Sequence, residues 1–239
     1  MPLSQRAHVA LVTGAGRGIG RAIAVHLARA GCKVAALART ASDLAETVRE
    51  AAEDSAAPAI LPLPTDMTRD ADLEQAVRVI IERLGRITVL VNNAGFAPPR
   101  STVLKTSLAD WDRTLATCLR APMVLTRLVL PDMLAHGSGN IVNIASIAGQ
   151  RGRAGEASYA AAKFGLLGFT QSLFDEVREH GIKVTAIVPG PVDTEHAPGD
   201  KARVLRPSDI AAAVVQVLTA PPGACPAEIV LEPLHDPEA

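Results

Sequence analysis

The chain has 239 residues, 48% of them hydrophobic, with 24 Lys plus Arg against 25 Asp plus Glu and a net charge of −1. That size and apolar content suit one domain with a substantial core. The balanced charge and 3% aromatic content exclude the basic, stacking surface of a nucleic-acid binder and any polybasic membrane patch.

Cys32, Cys118 and Cys225 are scattered and odd in number, and the six histidines lack metal-ligand spacing. No apolar run approaches a membrane span or precedes a cleavage-type site. The expectation is a reduced, cytoplasmic protein with no metal site and no membrane contact.

In chain order, β-branched apolar runs alternate with segments of helical period. Residues 8–12 read as a buried strand, followed by a glycine turn and a helix over 19–30 that Gly31 ends. A strand over 33–38, a helix over 44–52, a strand over 59–63 and a helix over 70–84 come next. Residues 89–91 form a short buried strand. A long helix starts at Leu108, with Ser107 and Asp110 spaced as a capping box and Pro122 expected to kink or break it. Then come a strand over 140–145, a helix from Tyr159 through Val177, a strand over 183–188, a helix over 208–218 and a last strand over 229–231. This alternation predicts an α/β fold, a parallel sheet with helices on both faces, doubly wound in one domain over 1–239.

The segment Thr13–Gly20 (TGAGRGIG) joins the first strand to the first helix. Glycines there let the backbone approach a phosphate, and a helix N-terminus offers free N–H donors. The strict GxGxxG spacing is absent; Gly14, Gly18 and Gly20 follow TGxxxGxG instead, still a dinucleotide-binding signal in this context. An NAD enzyme commonly has an acid at the end of the second strand for the ribose 2′-hydroxyl. Here that end reads Leu37, Ala38, Arg39, Thr40. Arg39, together with Arg17 inside the turn, suits a 2′-phosphate, which favours NADP(H) over NAD(H).

Tyr159, the only tyrosine, stands four residues before Lys163 and thirteen after Ser146. Residues i and i+4 share a helix face, and an ammonium beside a phenol favours the phenolate. Taken singly, a serine after a strand is a loop hydrogen-bonder and a helical tyrosine is packing with a polar tip. Taken at this spacing after a dinucleotide turn, the three read as a proton-transfer site.

These motifs occur in a definite order: Thr13–Gly20, Asp66, Asn92 to Gly95, Ser146, Tyr159 with Lys163, and 189–194 (PGPVDT). Through them the chain, from about residue 7 to 231, resembles the short-chain dehydrogenase/reductase family in its common branch. The resemblance implies a seven-stranded Rossmann-type sheet and hydride transfer between a nicotinamide and a small-molecule alcohol or carbonyl. It implies a substrate site within about 140–207 and a homo-oligomer, dimer or tetramer. Tyr159 would be the general acid in reduction and base in oxidation. Ser146 would hold the reacting oxygen, and Lys163 would bind the nicotinamide ribose. Asp66 and Met67 would sit by the adenine, and Asn92 through Gly95, with Asn93, Ala94 and Gly95 as cofactor contacts, would border the cofactor and tie the central sheet. Ile19, Thr40, Pro189, Gly190 and Val192 count among the cofactor contacts, with Thr194 at the carboxamide or pyrophosphate. The roles agree with the chemistry, since a hydride comes from a cofactor and the protein supplies an acid and an oxygen-binding donor.

The chain departs from the family's pattern in several places. Seven residues after Trp111 the family keeps an asparagine of its proton relay; this chain has Cys118. A thiol is a weaker donor and acceptor than an amide. The relay is weakened, rerouted through Thr117 or a backbone carbonyl, or abandoned, or Cys118 is a small hydrophobe. A slip of one residue would place Thr117 there. Residues 195–204 are short and polar where a substrate lid is usual, and the glycine-rich ending common in the family is missing. Arg151, Arg153 and Glu156 either favour an anionic substrate or are solvated, and His196 either reaches the pocket mouth or lies on the surface. The competing function is a catalytically weak NADP(H)-binding sensor or scaffold.

Overall fold

Strand β1 (Val9–Thr13) is buried along its whole length because its alternate side chains serve two cores. Ala10 and Val12 belong to one face of the sheet, Val9 and Leu11 to the other. A parallel strand covered on both sides has this pattern, so the run reads as continuously apolar. The computed structural model describes residues 8–194 and 203–235.

Strand β1 leads into α1 (Gly18–Arg29), then β2 (Lys33–Ala38), α2 (Ala41–Ala51), β3 (Leu61–Pro64) and α3 (Asp70–Leu84). The second half runs β4 (Val89–Asn92), α4 (Leu108–Leu115), α5 (Ala121–Ala135), β5 (Gly139–Ile144), α6 (Ala157–Val177), β6 (Ile182–Pro189), α7 (Pro207–Thr219) and β7 (Glu228–Leu231). All seven strands are parallel, in the order β3-β2-β1-β4-β5-β6-β7. Helices α1, α2 and α7 cover one face through Ile23, Leu27, Leu44, Ile210 and Val214. Helices α3, α5 and α6 cover the other through Leu73, Ile80, Leu125, Met133 and Leu173. The strand order reverses between β1 and β4, where an open α/β sheet leaves a crevice at its carboxyl edge.

Several boundaries differ from the sequence reading. Helix α2 starts at Ala41, ahead of its first buried residue Leu44, because its first turn is polar or exposed and carries no apolar period. Strand β3 lies later than expected, at Leu61–Pro64, and its two prolines are tolerated because it is an edge strand.

Pro122 does not break the long helix. It lacks the N–H that a carbonyl four residues back would accept, and the backbone widens into a π-helical turn over Ala116–Arg120. The Ala121 N–H closes that turn on Ala116 O, and α5 resumes with Pro122 in its first turn. The expected irregularity therefore falls one turn earlier, on the residues around Cys118. At the start of α4, Ser107 Oγ accepts from Asp110 N–H at 3.1 Å and donates to Asp110 Oδ2 at 2.8 Å.

A buried polar chain crosses the sheet. Asn92 Nδ2 on β4 donates to Asn143 Oδ1 on β5 at 2.8 Å, and Asn143 Nδ2 donates to Thr170 Oγ1 on α6 at 2.8 Å. Among the described residues no helix is long and apolar enough to cross a membrane.

Candidate functional site

The turn after β1 needs its glycines for two physical reasons. Gly14 adopts φ +64°, a left-handed conformation that costs side-chain-bearing residues energy. A Cβ on Gly20 would overlap the Gly14 carbonyl and the Asn93 amide. Asn93 itself holds the turn, donating from Nδ2 to Thr13 O at 2.9 Å. Thr13 Oγ1 accepts from the Asn93 and Ala94 N–H groups at 3.0 Å, so the ends of β1 and β4 form one unit. Arg17, at the N-cap of α1, makes no side-chain capping bond, and the helix's first residues Gly18, Ile19 and Gly20 line a cleft of about 520 Å³. Uncapped N–H groups at the positive end of a helix suit a phosphate.

The cleft wall gathers most of the expected cofactor residues. Gly14, Arg17, Gly18, Ile19 and Gly20 come from the turn, and Arg39 and Thr40 from the end of β2. Asp66 and Met67 follow β3, Asn93, Ala94 and Gly95 follow β4, and Tyr159 and Thr194 complete the set. Thr194 packs over the turn, 3.4 Å from the Cβ position of Gly18. Asp66 is held below the usual carboxylate range first by the Thr68 N–H, then by the Thr68 hydroxyl and the Arg39 and Arg69 cations, against the opposing effect of burial. Thr40 precedes α2 without a side-chain cap, so that N-terminus also keeps free donors beside Arg39.

Tyr159 and Lys163 lie one turn apart on α6, the Lys163 Nζ 5.6 Å from the Tyr159 ring centroid. Lys163 is 3% exposed and donates to Ile144 O at 2.7 Å, at the end of the strand that leads to Ser146. Ser146 Oγ accepts the Ala148 N–H at 3.1 Å, which leaves its own hydrogen to donate. The short helical turn after Ser146 rests on α6, with the Cβ position of Gly149 2.8 Å from Lys163 O.

Ser146, Lys163, Cys118, Pro189, Gly190 and Val192 stand outside the cleft wall. Pro189 and Val192 are buried, and Gly190 lies under Glu232, whose Oε2 is 2.7 Å from its Cβ position. Cys118 is fully buried: its Sγ accepts the Phe96 N–H at 3.2 Å and donates to Phe96 O at 3.4 Å. Thr117, one residue earlier, is the one that lines the cleft. Arg151, Arg153 and Glu156 do not line it either. Arg151 faces Glu232 at 3.9 Å, and Glu156 accepts from Arg100 Nε at 2.8 Å. Residues 195–202, with His196 among them, lie outside the described residues.

Sequence reasoning missed several wall residues, including Gly16, Thr68, Phe96, Ala97, Asp43 and Arg113. The first three adjoin residues it found, and Ala97 lies two positions beyond Gly95. Arg113 sits four residues before Thr117 on the same helical run, which was a usable signal, and its guanidinium lies 3.9 Å from the Phe96 ring centroid. Asp43 belongs to the first turn of α2, whose start the apolar period did not mark.

The geometry combines a glycine turn at a helix N-terminus, a tyrosine–lysine pair on α6, and a serine just after the strand whose end Lys163 bonds. Known proteins resemble the chain over nearly its whole length. The family profile described as short chain dehydrogenase matches residues 8–203. An uncharacterised oxidoreductase of Staphylococcus aureus is 33% identical over 230 residues, 95% of this chain and 97% of that protein. A 3-oxoacyl-[acyl-carrier-protein] reductase of Synechocystis is 37% identical over 195 residues, 79% of this chain and 76% of that one. The crystal structure of a metagenomic short-chain oxidoreductase in complex with NADP superposes with a TM-score of 0.85 at 34% identity, covering 95% and 97% of the two chains. An alcohol dehydrogenase from Thermococcus sibiricus, complexed with 5-hydroxy-NADP, shares the fold at a TM-score of 0.88 and 24% identity, covering 97% and 98%.

Proposed function

The chain belongs to the short-chain dehydrogenase family, and from that premise we propose that it is an NADP(H)-dependent oxidoreductase acting on a small alcohol or carbonyl. The observation that carries the reading is the placement of Tyr159 in the wall of the phosphate cradle with the Lys163 ammonium 5.6 Å from its ring.

In this reading Gly14, Gly18 and Gly20 leave room for a pyrophosphate, and the α1 N–H groups bind it. Arg17 and Arg39 bind the 2′-phosphate, which makes NADP(H) the preferred cofactor. Met67 and Asp66 flank the adenine, and Thr194 meets the carboxamide or pyrophosphate. When bound, the nicotinamide supplies or accepts the hydride. Tyr159 gives its proton to the substrate oxygen in reduction and takes it back in oxidation. Ser146 donates to the same oxygen, the hydrogen left over from its bond with Ala148 serving that end. The Lys163 charge stabilises the phenolate that remains when Tyr159 has given its proton. Cys118, engaged at both its donor and acceptor capacities on Phe96, holds the loop after β4 rather than passing a proton.

We also read the protein as a homo-oligomer. Met123 on α5 and Phe164 on α6 are 44% and 47% exposed, large apolar side chains on two helices that cover the same face of the sheet.

The test monitors NADPH oxidation against a panel of aldehydes and ketones, with Tyr159→Phe as the control. The variant should lose about 10² to 10⁴ of kcat while its NADPH dissociation constant stays near that of the wild type. Equal turnover in both proteins would sink the mechanism. Micromolar NADPH binding without turnover on a broad panel would favour a sensor instead.

A further inference from the structure

Two side chains outside the cleft hold the carbonyls of the glycine turn. Thr47, fully buried on α2, donates its hydroxyl to Ala15 O at 2.8 Å and also lies 3.1 Å from Asp43 O. Arg21, half-buried on α1, donates from Nε and Nη2 to Gly16 O at 3.1 and 2.5 Å. Its Nη2 also reaches Asp43 O at 3.5 Å. Two consecutive carbonyls of the turn are thus each taken by a side chain from a different helix. Both side chains meet a third carbonyl, that of Asp43, in the first turn of α2. Packing closes the same joint: a Cβ on Gly16 would stand 2.9 Å from Asp43 Cβ and 3.1 Å from Ala38 Cβ.

The consequence comes from peptide geometry. In a trans peptide the C=O and the following N–H point in opposite directions. Holding Ala15 O on one side therefore fixes the Gly16 N–H toward the other, and holding Gly16 O does the same for the Arg17 N–H. A threonine that merely bonds back to the carbonyl four residues earlier is ordinary helix behaviour. The bond to Ala15 O is different, because it spans 32 positions and joins two elements.

We propose that Arg21 and Thr47 are positioning residues for the cofactor. They lock the Ala15–Gly16 and Gly16–Arg17 peptides against α2. They thereby set which N–H groups a phosphate meets and how far the turn stands from Arg39 and Thr40 at the start of α2. Neither residue lines the cleft, so each acts through the backbone it holds. The inference rests on the NADP(H) reading, and the 2′-phosphate pocket is where a loosened joint between turn and α2 is felt most.

The experiment measures dissociation constants of NADPH and NADH by calorimetry on the full chain, for wild type, Thr47→Val, Thr47→Ser, Arg21→Met and Arg21→Lys. Melting temperatures of the free proteins report folding. Thr47→Val and Arg21→Met should each weaken NADPH binding about five- to tenfold, the size expected for a lost buried hydrogen bond. NADH binding should weaken less, so the preference for NADPH shrinks. Thr47→Ser, which keeps the hydroxyl, should restore the wild-type constant, whereas Arg21→Lys, which keeps only the charge, should not. At saturating cofactor, kcat should stay within about twofold, since the reacting end is untouched. NADPH binding within twofold of wild type in the folded variants overturns the proposal, as does an equal loss for both cofactors. If Thr47→Val fails to fold, Arg21→Met alone decides the matter. The wild-type preference between NADPH and NADH tests the cofactor reading by itself; the change in preference from wild type to variant tests the two positioning residues.

Discussion

Asp43 sits in the wall of the cleft beside Arg39 and Thr40, a carboxylate in the region proposed to take a 2′-phosphate. Two like charges in one pocket oppose each other, by an amount that water screens but does not remove. Asp43→Ser should therefore tighten NADPH binding roughly threefold, and leave NADH binding nearly unchanged. Calorimetric titration of both cofactors checks this, and weaker NADPH binding in the variant would show that Asp43 holds the ribose or the turn instead. The sequence hid this residue because the acid expected of an NAD enzyme is sought at the strand end, where Arg39 stands. The proposed trio of Ser146, Tyr159 and Lys163 could be picked out for the opposite reason: their spacing implies a shared helix face and an adjacent strand end.

The elements around the site were mostly readable, and the exceptions have local causes. Counting seven residues from Trp111 fixes a place in the sequence but not the side it faces, because the π turn over Ala116–Arg120 shifts the phase of the helix. The choice between Thr117 and Cys118 therefore could not be settled by counting. The structure turns Thr117 to the cleft and Cys118 to the Phe96 main chain. The chain Asn92–Asn143–Thr170, which pins α6 to the central strands, was visible only in part, since no local pattern pairs Asn143 with Thr170. Asn143→Leu should cost about 2 to 4 kcal/mol, because it strands the buried Asn92 amide and removes the donor to Thr170. Urea unfolding measures it, and a loss under about 0.5 kcal/mol would mean that the apolar replacement compensates.

At the scale of the whole molecule, alternation of buried runs and helical periods was enough to read the parallel sheet, because covered parallel strands leave an unbroken apolar signature. Association between copies is not encoded that way, since an interface looks like any apolar surface until it is covered. The homo-oligomer reading expects light scattering to give at least twice the 24.9 kDa of one chain, and Phe164→Lys to lower that mass. A wild-type mass of one chain would end that reading. The reversal of strand order between β1 and β4 has a longer reach. Residues 8–84 carry Arg17, Arg39 and the joint between the glycine turn and α2, and residues from 89 onward carry Ser146, Tyr159 and Lys163. In the proposed reading, the side chains that select the 2′-phosphate and those that meet the reacting oxygen thus come from separate stretches of the chain. Under that reading, substitutions within residues 8–84 change coenzyme preference while Ser146 and Tyr159 keep their places.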